Sequence, residues 1–252
     1  MTVSKSDLAY LADVVYDPWA LNAFAKAAPS GGRYRAVYIL DDASGYYGVV
    51  FEHEDTRELV VAHRGTEPTG DFVRDILLTD AQMVVQRINQ QRSAAIWLVE
   101  QALKLSDESP DKPPVTLTGH SLGGSLAQLT ALHFGLSAET FNAFGAADIA
   151  LNYSLEMSSL ARGDLSSMPV IVNHVRVTDI VSAAGRHLGT VVIYATERDH
   201  ELVADLDTYG IYSLRPTRTR LQCRVPANDE WWKLEDDSYR HKGTVSAQER
   251  AQ

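Results

Sequence analysis

Short apolar runs separated by turn residues recur along the chain, and they predict where its strands lie. Runs at 34–40, 46–51 and 59–62 are rich in β-branched and aromatic residues, which is typical of strands. The segment 41–45, Asp-Asp-Ala-Ser-Gly, separates the first two runs with turn-forming residues. We therefore predict an antiparallel edge at the N-terminal side of a sheet.

The remaining pattern alternates between helical and strand periodicity. A helix is predicted where apolar residues recur at helical spacing, at Ile88, Ala95, Ile96, Val99 and Leu103. A β-branched run at 115–118 precedes a second helical repeat, formed by Leu122, Leu126, Leu129 and Leu132. Further apolar runs at 140–144 and 170–177 continue this alternation, which favours an α/β fold with a largely parallel sheet. We expect one domain over residues 1–252, with the segment 147–168 inserted on the catalytic side.

Charge and composition narrow the classes of partner. The formal charge of -10 and the pI near 5.2 disfavour binding to nucleic-acid phosphate. The same charge disfavours capture by anionic membranes, so we expect any membrane-surface contact to be transient, local and apolar. Cys223 is the only cysteine, which excludes an intramolecular disulfide. The first ten residues lack the apolar region of a Sec signal, and no apolar run is long enough to span a bilayer, so we expect synthesis in the cytoplasm.

The segment 119–123, Gly-His-Ser-Leu-Gly, carries the clearest chemical signal. It matches the G-x-S-x-G nucleophile elbow and lies between a predicted strand and a predicted helix, as that motif requires. Glycines on both sides of Ser121 permit a sharp turn that exposes the serine hydroxyl at a helix N-terminus. A phosphate-binding loop is disfavoured because its lysine is missing. We predict Ser121 as a nucleophile.

This motif resembles the class 3 lipase family when it is taken together with the segment 60–66, Val-Val-Ala-His-Arg-Gly-Thr. The resemblance covers about residues 34–200 and continues through 71–75, 144–145 and 177–181. The segment 173–184 also resembles bacterial phospholipase-like effectors and toxins. His63 and Ile180 stand where the family often has phenylalanine and proline. The resemblance implies an α/β-hydrolase fold with helices on both faces of the sheet.

Ester hydrolysis needs donors for a developing oxyanion and a carboxylate that orients the base. The elbow geometry makes the backbone amide of Leu122 one donor, and the resemblance implies Thr66 as the second. In this fold the acid follows the nucleophile along the chain. Asp179, directly after the apolar run 170–177, is the predicted acid, and Asp148 is the alternative. Arg64 is expected to anchor the loop that carries Thr66.

The same chain order limits the choice of the general base to three histidines. His241 is the prediction, because it lies late in the chain, as the family's base does. His200 and His187 remain alternatives: the first lies in a charged patch, and the second lies only eight positions after Asp179. Earlier histidines are eliminated, namely His53, His63, His120, His133 and His174.

These residues predict a serine-dependent lipid ester hydrolase, either a lipase or a phospholipase, that works through an acyl-enzyme. No metal or organic cofactor is implied. The narrower resemblance implies an antibacterial effector exported by a dedicated secretion machine and neutralised by an immunity protein. A non-catalytic binding module, or a thioesterase or peptidase on the same scaffold, is the alternative. The segment 147–168 and the stretch after Thr66 are expected to wall the substrate pocket.

Overall fold

Five helices and seven strands make up the described part of the chain. The computed structural model describes residues 3–65, 81–152 and 169–195. The helices are α1 (Lys5–Val14), α2 (Ala81–Glu108), α3 (Leu122–Phe134), α4 (Ala147–Asn152) and α5 (Ile180–Ala183). The strands are β1 (Tyr34–Asp41), β2 (Tyr47–His53), β3 (Leu59–His63), β4 (Val115–His120), β5 (Ser137–Phe141), β6 (Ile171–Arg176) and β7 (Thr190–Tyr194).

The strands form one seven-stranded sheet in chain order from β1 to β7. The β1–β2 and β2–β3 pairs are antiparallel, and every later pair is parallel. This confirms the predicted α/β fold with an antiparallel N-terminal edge. Parallel strands β3 to β6 bring their carboxyl ends to the same edge of the sheet, and the loops that leave this edge carry the candidate site.

Helices cover both faces of the sheet, and alternation along the strands assigns each side chain to a face. On β3, Val60 and Ala62 pack in the cluster with α1, whereas Leu59 and Val61 pack in the cluster with α2 and α3. Because successive strand side chains point to opposite faces, a continuous apolar strand such as β3 can be buried on both sides. All five residues of β3 are buried.

Helix α1 was not predicted from the apolar pattern, although its sequence carries a start signal. Ser4 caps the helix by accepting a hydrogen bond from the Asp7 amide at 3.1 Å. Leu8 and Leu11 are buried against the sheet. The Asp7 carboxylate is also buried and accepts a hydrogen bond from the Tyr34 hydroxyl at 2.8 Å. These contacts attach α1 to β1.

One strand prediction is displaced along the chain. The apolar run 140–144 predicts a strand there, but β5 spans Ser137–Phe141 and includes the polar residue Glu139. The chain leaves the sheet at Asn142, whose φ of 45° is a left-handed conformation that no strand continues. Hydrophobicity alone placed this strand too far toward the C-terminus, because backbone pairing with β4 and β6 decides its position.

The other predicted strands end within two residues of the observed ones, whereas helix α2 begins seven residues before the predicted repeat at Ile88. The predicted insertion 147–168 begins as helix α4, and its part after residue 152 lies outside the described residues. No helix among the described residues combines the length and apolar character needed to cross a bilayer. The expectation of a single domain over residues 1–252 stays a prediction.

Candidate active site

The turn between β4 and α3 holds Ser121 in a strained backbone conformation. Its φ of 55° and ψ of -126° lie in a region that residues with a side chain rarely occupy. Such a conformation costs on the order of 1–3 kcal/mol and persists only where the surrounding structure imposes it. The turn therefore stores strain at the residue that the sequence motif singles out.

Close packing of the flanking glycines imposes this turn. A methyl group added at Gly119 would lie 2.5 Å from the carbonyl carbon of Gly123. A methyl group added at Gly123 would lie 2.1 Å from the carbonyl oxygen of His63. Since real carbon atoms do not approach so closely, strand β4, helix α3 and the end of β3 can meet only if both positions lack a side chain.

The backbone of Ser121 hydrogen-bonds to the sheet, whereas its side chain is not used to cap the helix that follows. Its N–H donates to the carbonyl oxygen of Phe141 at 3.1 Å, which ties the elbow to the end of β5. Within the described part of the chain, the hydroxyl makes no capping hydrogen bond to α3. Ser121 is buried, and it lies at the positive end of the helix dipole. This environment suits an oxygen that gains negative charge.

One predicted oxyanion donor lies at this turn. Leu122 is the first residue of α3, and the first N–H groups of a helix have no partner within the helix. Thr66, the other predicted donor, lies outside the described residues. Its neighbour Gly65 packs against the elbow, because a methyl group added there would lie 2.6 Å from the His120 carbonyl oxygen and 3.3 Å from the Ser121 Cβ.

Arg64 anchors the same loop, as the sequence predicts. Its guanidinium carbon lies 4.3 Å from the ring centre of Tyr47, a cation–π contact. Its backbone N–H donates to the carbonyl oxygen of Tyr47 at 3.0 Å. Both contacts fix the chain at the end of β3 just before Thr66.

Asp179 follows β6 at the carboxyl edge of the sheet and caps α5. Its Oδ2 accepts a hydrogen bond from the Ser182 N–H at 2.8 Å. Burial raises the pKa of Asp179, while its hydrogen bonds to Ser182 and the charge of nearby His120 act in the opposite direction. The carboxylate is thus partly desolvated and close to the elbow, since His120 directly precedes Ser121.

Asp148, the alternative acid, is engaged elsewhere. It lies in the first turn of α4 and accepts hydrogen bonds from the guanidinium of Arg186, including one from Nε at 3.0 Å. This pairing lowers the pKa of Asp148. The contact occupies an exposed surface and gives Asp148 a structural partner.

Of the three candidate bases, His187 alone lies within the described residues. Its Nε2 lies 2.9 Å from the carbonyl oxygen of Ser182, and its Nδ1 lies 3.4 Å from Nε2 of Gln128. Both ring nitrogens therefore have protein partners. His200 and His241 lie outside the described residues.

Sequence reasoning missed a contact between the N-terminal region and the elbow. The Tyr16 hydroxyl, in the loop after α1, lies 3.2 Å from Nδ1 of His120. The two rings also meet edge to face. The sequence analysis considered His120 only as a general base and eliminated it. It therefore gave no indication that Tyr16 contacts this histidine.

His63 forms a second polar group that sequence reasoning did not assign. It is fully buried at the end of β3, with Nδ1 2.7 Å from the Tyr46 hydroxyl and Nε2 3.4 Å from the Thr130 hydroxyl. Burial lowers the pKa of His63 to about 3, so the ring is neutral. The hydroxyls of Tyr46 and Thr130 thus give this buried imidazole two polar partners.

Among the residues that the structure describes, no group of three or more histidine, cysteine, aspartate or glutamate side chains is arranged to hold a metal ion. The chemical groups that do converge are a strained serine, a helix N-terminus and a partly buried carboxylate. A nucleophile elbow on a mostly parallel sheet of this kind is typical of the α/β-hydrolase class.

Comparison with known proteins places the chain within this class. Residues 7–182 match the model of the Tle-like phospholipase domain, and the chain therefore belongs to this phospholipase-like family of carboxylic ester hydrolases. The predicted family resemblance and the predicted enzyme class are both confirmed. The match begins within α1 and ends within α5, and thus includes both Ser121 and Asp179.

Two individual proteins illustrate the similarity. The extracellular phospholipase A1 of Serratia liquefaciens is 31% identical over 112 residues, which is 44% of this chain but only 31% of that protein's length. The crystal structure of a triacylglycerol lipase from Penicillium expansum superposes with a TM-score of 0.52 at 19% identity, covering 75% of this chain and 77% of the lipase. The structural similarity establishes the shared α/β-hydrolase fold.

Proposed function

We propose that the chain hydrolyses the carboxylic esters of phospholipids through a Ser121–His241–Asp179 triad and an acyl-enzyme. The observation that carries the proposal is the strained backbone of Ser121 at the start of α3, with φ of 55° and ψ of -126°. Backbone strain of this size needs a reason, and exposing a nucleophile above the sheet edge provides one.

The reaction divides into acylation and deacylation. His241 takes the proton of the Ser121 hydroxyl as the oxygen attacks the ester carbonyl carbon, and then gives that proton to the leaving alcohol. A water molecule then gives a proton to the same histidine as it attacks the acyl-enzyme, and the histidine returns that proton to the Ser121 oxygen as the fatty acid leaves. No step requires a metal or an organic cofactor.

The positions of the described groups support this proposal. The Leu122 N–H, at the start of α3, stabilises the oxyanion of each tetrahedral intermediate, and Thr66 adds a second donor. Packing of Gly65 against the elbow supports this role for Thr66, its chain neighbour. Asp179, partly buried at the same sheet edge, orients His241 and stabilises its charged form.

A phospholipid is the proposed substrate because the family is phospholipase-like and the Serratia relative is a phospholipase A1. That relative makes the sn-1 ester the first bond to test. The segment 147–168 and the stretch after Thr66 are proposed to wall the acyl pocket, since α4 and the loop after β3 both leave the edge that carries Ser121.

The decisive experiment combines covalent labelling with product analysis. Purified chain should react with a fluorophosphonate probe at Ser121 and release fatty acid from phosphatidylcholine vesicles, with sn-1 and sn-2 chains distinguished by mass. Ser121→Ala should abolish both signals while leaving the circular dichroism spectrum unchanged. Failure of the unmodified chain to take the probe would favour a non-catalytic binding module. Cleavage of thioesters or peptides without cleavage of lipids would favour a thioesterase or a peptidase.

The biological use that we propose is that of an antibacterial effector, exported from the cytoplasm by a dedicated secretion machine. Support comes from the resemblance of the segment 173–184 to phospholipase-like effectors and from membership of the Tle-like family. Expression targeted to the bacterial periplasm should arrest growth, and Ser121→Ala should remove the toxicity. A neighbouring immunity protein should bind the chain and protect the cells. Equal growth of cells expressing either form would contradict this role.

A further inference from the structure

The amide of Gln128 connects helix α3 to two separate loops. Gln128 lies about two helical turns after Ser121 and is fully buried. Its Oε1 accepts hydrogen bonds from the backbone N–H groups of Ala146 at 3.4 Å and Leu188 at 3.0 Å. Its Nε2 donates to the carbonyl oxygen of Phe144 at 3.3 Å. Because the N–H groups of Ala146 and Leu188 both donate, the amide atom that faces them must be the oxygen. These two contacts therefore fix which end of the Gln128 amide is Oε1 and which is Nε2.

The remaining proton of this amide points to His187. The Gln128 Nε2 lies 3.4 Å from Nδ1 of His187, and an amide NH₂ can only donate. On the other side of the ring, Nε2 lies 2.9 Å from the Ser182 carbonyl oxygen, which can only accept. The two partners therefore require a neutral imidazole with its proton on Nε2. Burial, which lowers the pKa of His187, favours the same neutral form.

Ser182 in turn holds Asp179. Its backbone N–H donates to the Asp179 Oδ2 at 2.8 Å, and its hydroxyl donates to the Asp179 carbonyl oxygen at 3.1 Å. One continuous set of hydrogen bonds thus leads from Gln128 through His187 and Ser182 to the Asp179 carboxylate. We call these four residues the acid relay.

The segment that contains His187 is also fixed from the sheet side. The Asn173 side-chain amide on β6 donates to the carbonyl oxygen of Leu188 at 2.6 Å and to that of Thr190 at 3.2 Å. Its oxygen accepts a hydrogen bond from the Thr140 hydroxyl at 2.7 Å. His187 is therefore held between the sheet and α3, and its ring has little freedom to reach Ser121.

We propose that Gln128 and His187 are positioning residues that fix the Asp179 carboxylate relative to the nucleophile. Ser121 and Gln128 belong to the same turn and helix, so the acid relay links the acid directly to the rigid element that presents the serine. The proposal rests on the proposed role of Asp179 as the triad acid. It assigns His187 a function other than that of general base.

Kinetics of matched variants test this assignment. Gln128→Met and His187→Phe keep similar volumes but break the acid relay. Gln91→Met makes the same exchange at a buried glutamine of α2, whose amide lies beside Gly45 in the turn between β1 and β2. We expect kcat on a phospholipid ester to fall about 10- to 100-fold in the first two variants, the scale of a small misplacement of catalytic groups, with KM little changed. His187→Gln, which retains a donor and an acceptor, should recover part of the loss.

A pH profile separates positioning from packing. When Asp179 no longer meets the base, the charged imidazole loses its partner, so the acidic limb of kcat/KM should move to lower pH in Gln128→Met and His187→Phe. A purely structural role would reduce thermal stability and the fraction labelled by fluorophosphonate but leave that limb in place. Retention of kcat at the level of Gln91→Met, or an unmoved acidic limb, would overturn the proposal.

A spectroscopic test does not depend on activity. Long-range ¹H–¹⁵N spectra of the full chain at neutral pH should show His187 as the neutral Nε2–H tautomer, and Gln128→Met should shift the Nδ1 resonance strongly. An Nδ1–H tautomer or a charged ring would overturn the acid relay. If the unmodified chain hydrolyses no ester at all, the proposed function fails, and the acid relay is then judged by these spectra alone.

Discussion

The Tyr16 hydroxyl lies 3.2 Å from Nδ1 of His120, which joins the loop after α1 to the residue just before Ser121. The loop after β3 fits closely against this pair. A methyl group added at Gly65 would lie 2.3 Å from the Tyr16 hydroxyl and 2.6 Å from the His120 carbonyl oxygen. Three parts of the chain that are distant in sequence thus meet beside the elbow, with no room for a side chain between them.

Gly65→Ala should therefore damage the site more than the fold. The added methyl group must push the loop that carries Thr66 away from Ser121, and a shift of about 1 Å can cost roughly 100-fold in rate. The measurement is kcat/KM on a phospholipid ester, corrected for the fluorophosphonate-reactive fraction. Gly135→Ala is the control, because among the described residues no atom lies within 4 Å of its added methyl group, and its strain comes from the φ of 70°. Equal activity in both variants would contradict the proposed role of this loop.

Ser121→Gly should be inactive but more stable than the unmodified chain. Glycine adopts a φ of 55° and ψ of -126° with little strain, so the free energy of unfolding should rise by about 1 kcal/mol. Ser121→Ala keeps the strain and should show no such gain. Urea unfolding of both variants provides the comparison. A Ser121→Gly variant no more stable than Ser121→Ala would show that the turn is not strained in solution.

His63 should make the protein sensitive to acid. Its pKa is about 3 in the folded chain but near the ordinary value of 6.5 when unfolded, so the unfolded state binds one more proton between these values. The contribution of neutral His63 to the free energy of unfolding is fully present above pH 6.5. It is lost as the pH drops toward 3, with a slope of up to about 1.4 kcal/mol per pH unit. His63→Phe should flatten that slope in urea unfolding measured from about pH 7 to about pH 4.

Tyr46→Phe is the matched control for this experiment. It removes the hydroxyl that contacts His63 at 2.7 Å but keeps the buried imidazole, so the acid slope should persist. Absolute stability should fall in both variants because each removes one partner of a buried hydrogen bond. If the free energy of unfolding depends on pH in the same way for His63→Phe and for the unmodified chain, His63 is not the titrating group.

The three candidate bases should separate by the size of their effects. His241→Ala should lower kcat by about ten-thousand-fold, the scale of losing a triad member. His187→Ala should cost far less, because its ring nitrogens contact Ser182 and Gln128 and it acts through Asp179. His200→Ala should remain near normal. Full activity of His241→Ala, with a severe loss in either of the others, would reassign the base.

Local sequence was enough to predict the elbow and most strands. The glycines around Ser121 and the alternation of strand and helix patterns act over a few neighbouring residues, so their consequences can be inferred from the chain alone. The same logic failed at β5, where the run 140–144 is more apolar than the strand at Ser137–Phe141. Pairing with neighbouring strands, which no local pattern encodes, determines that position.

The sequence by itself thus determined the fold class, the family and the identity of the strained serine, because each depends on short-range patterns. Only the tertiary structure decided which polar side chains act together. Tyr16 and His120 lie 104 positions apart, and Gln128 and His187 lie 59 apart. A histidine has the same appearance in sequence whether it is a base, a buried core residue or a link to an acid. Its role follows from the partners of its two ring nitrogens, and folding alone brings those partners to it.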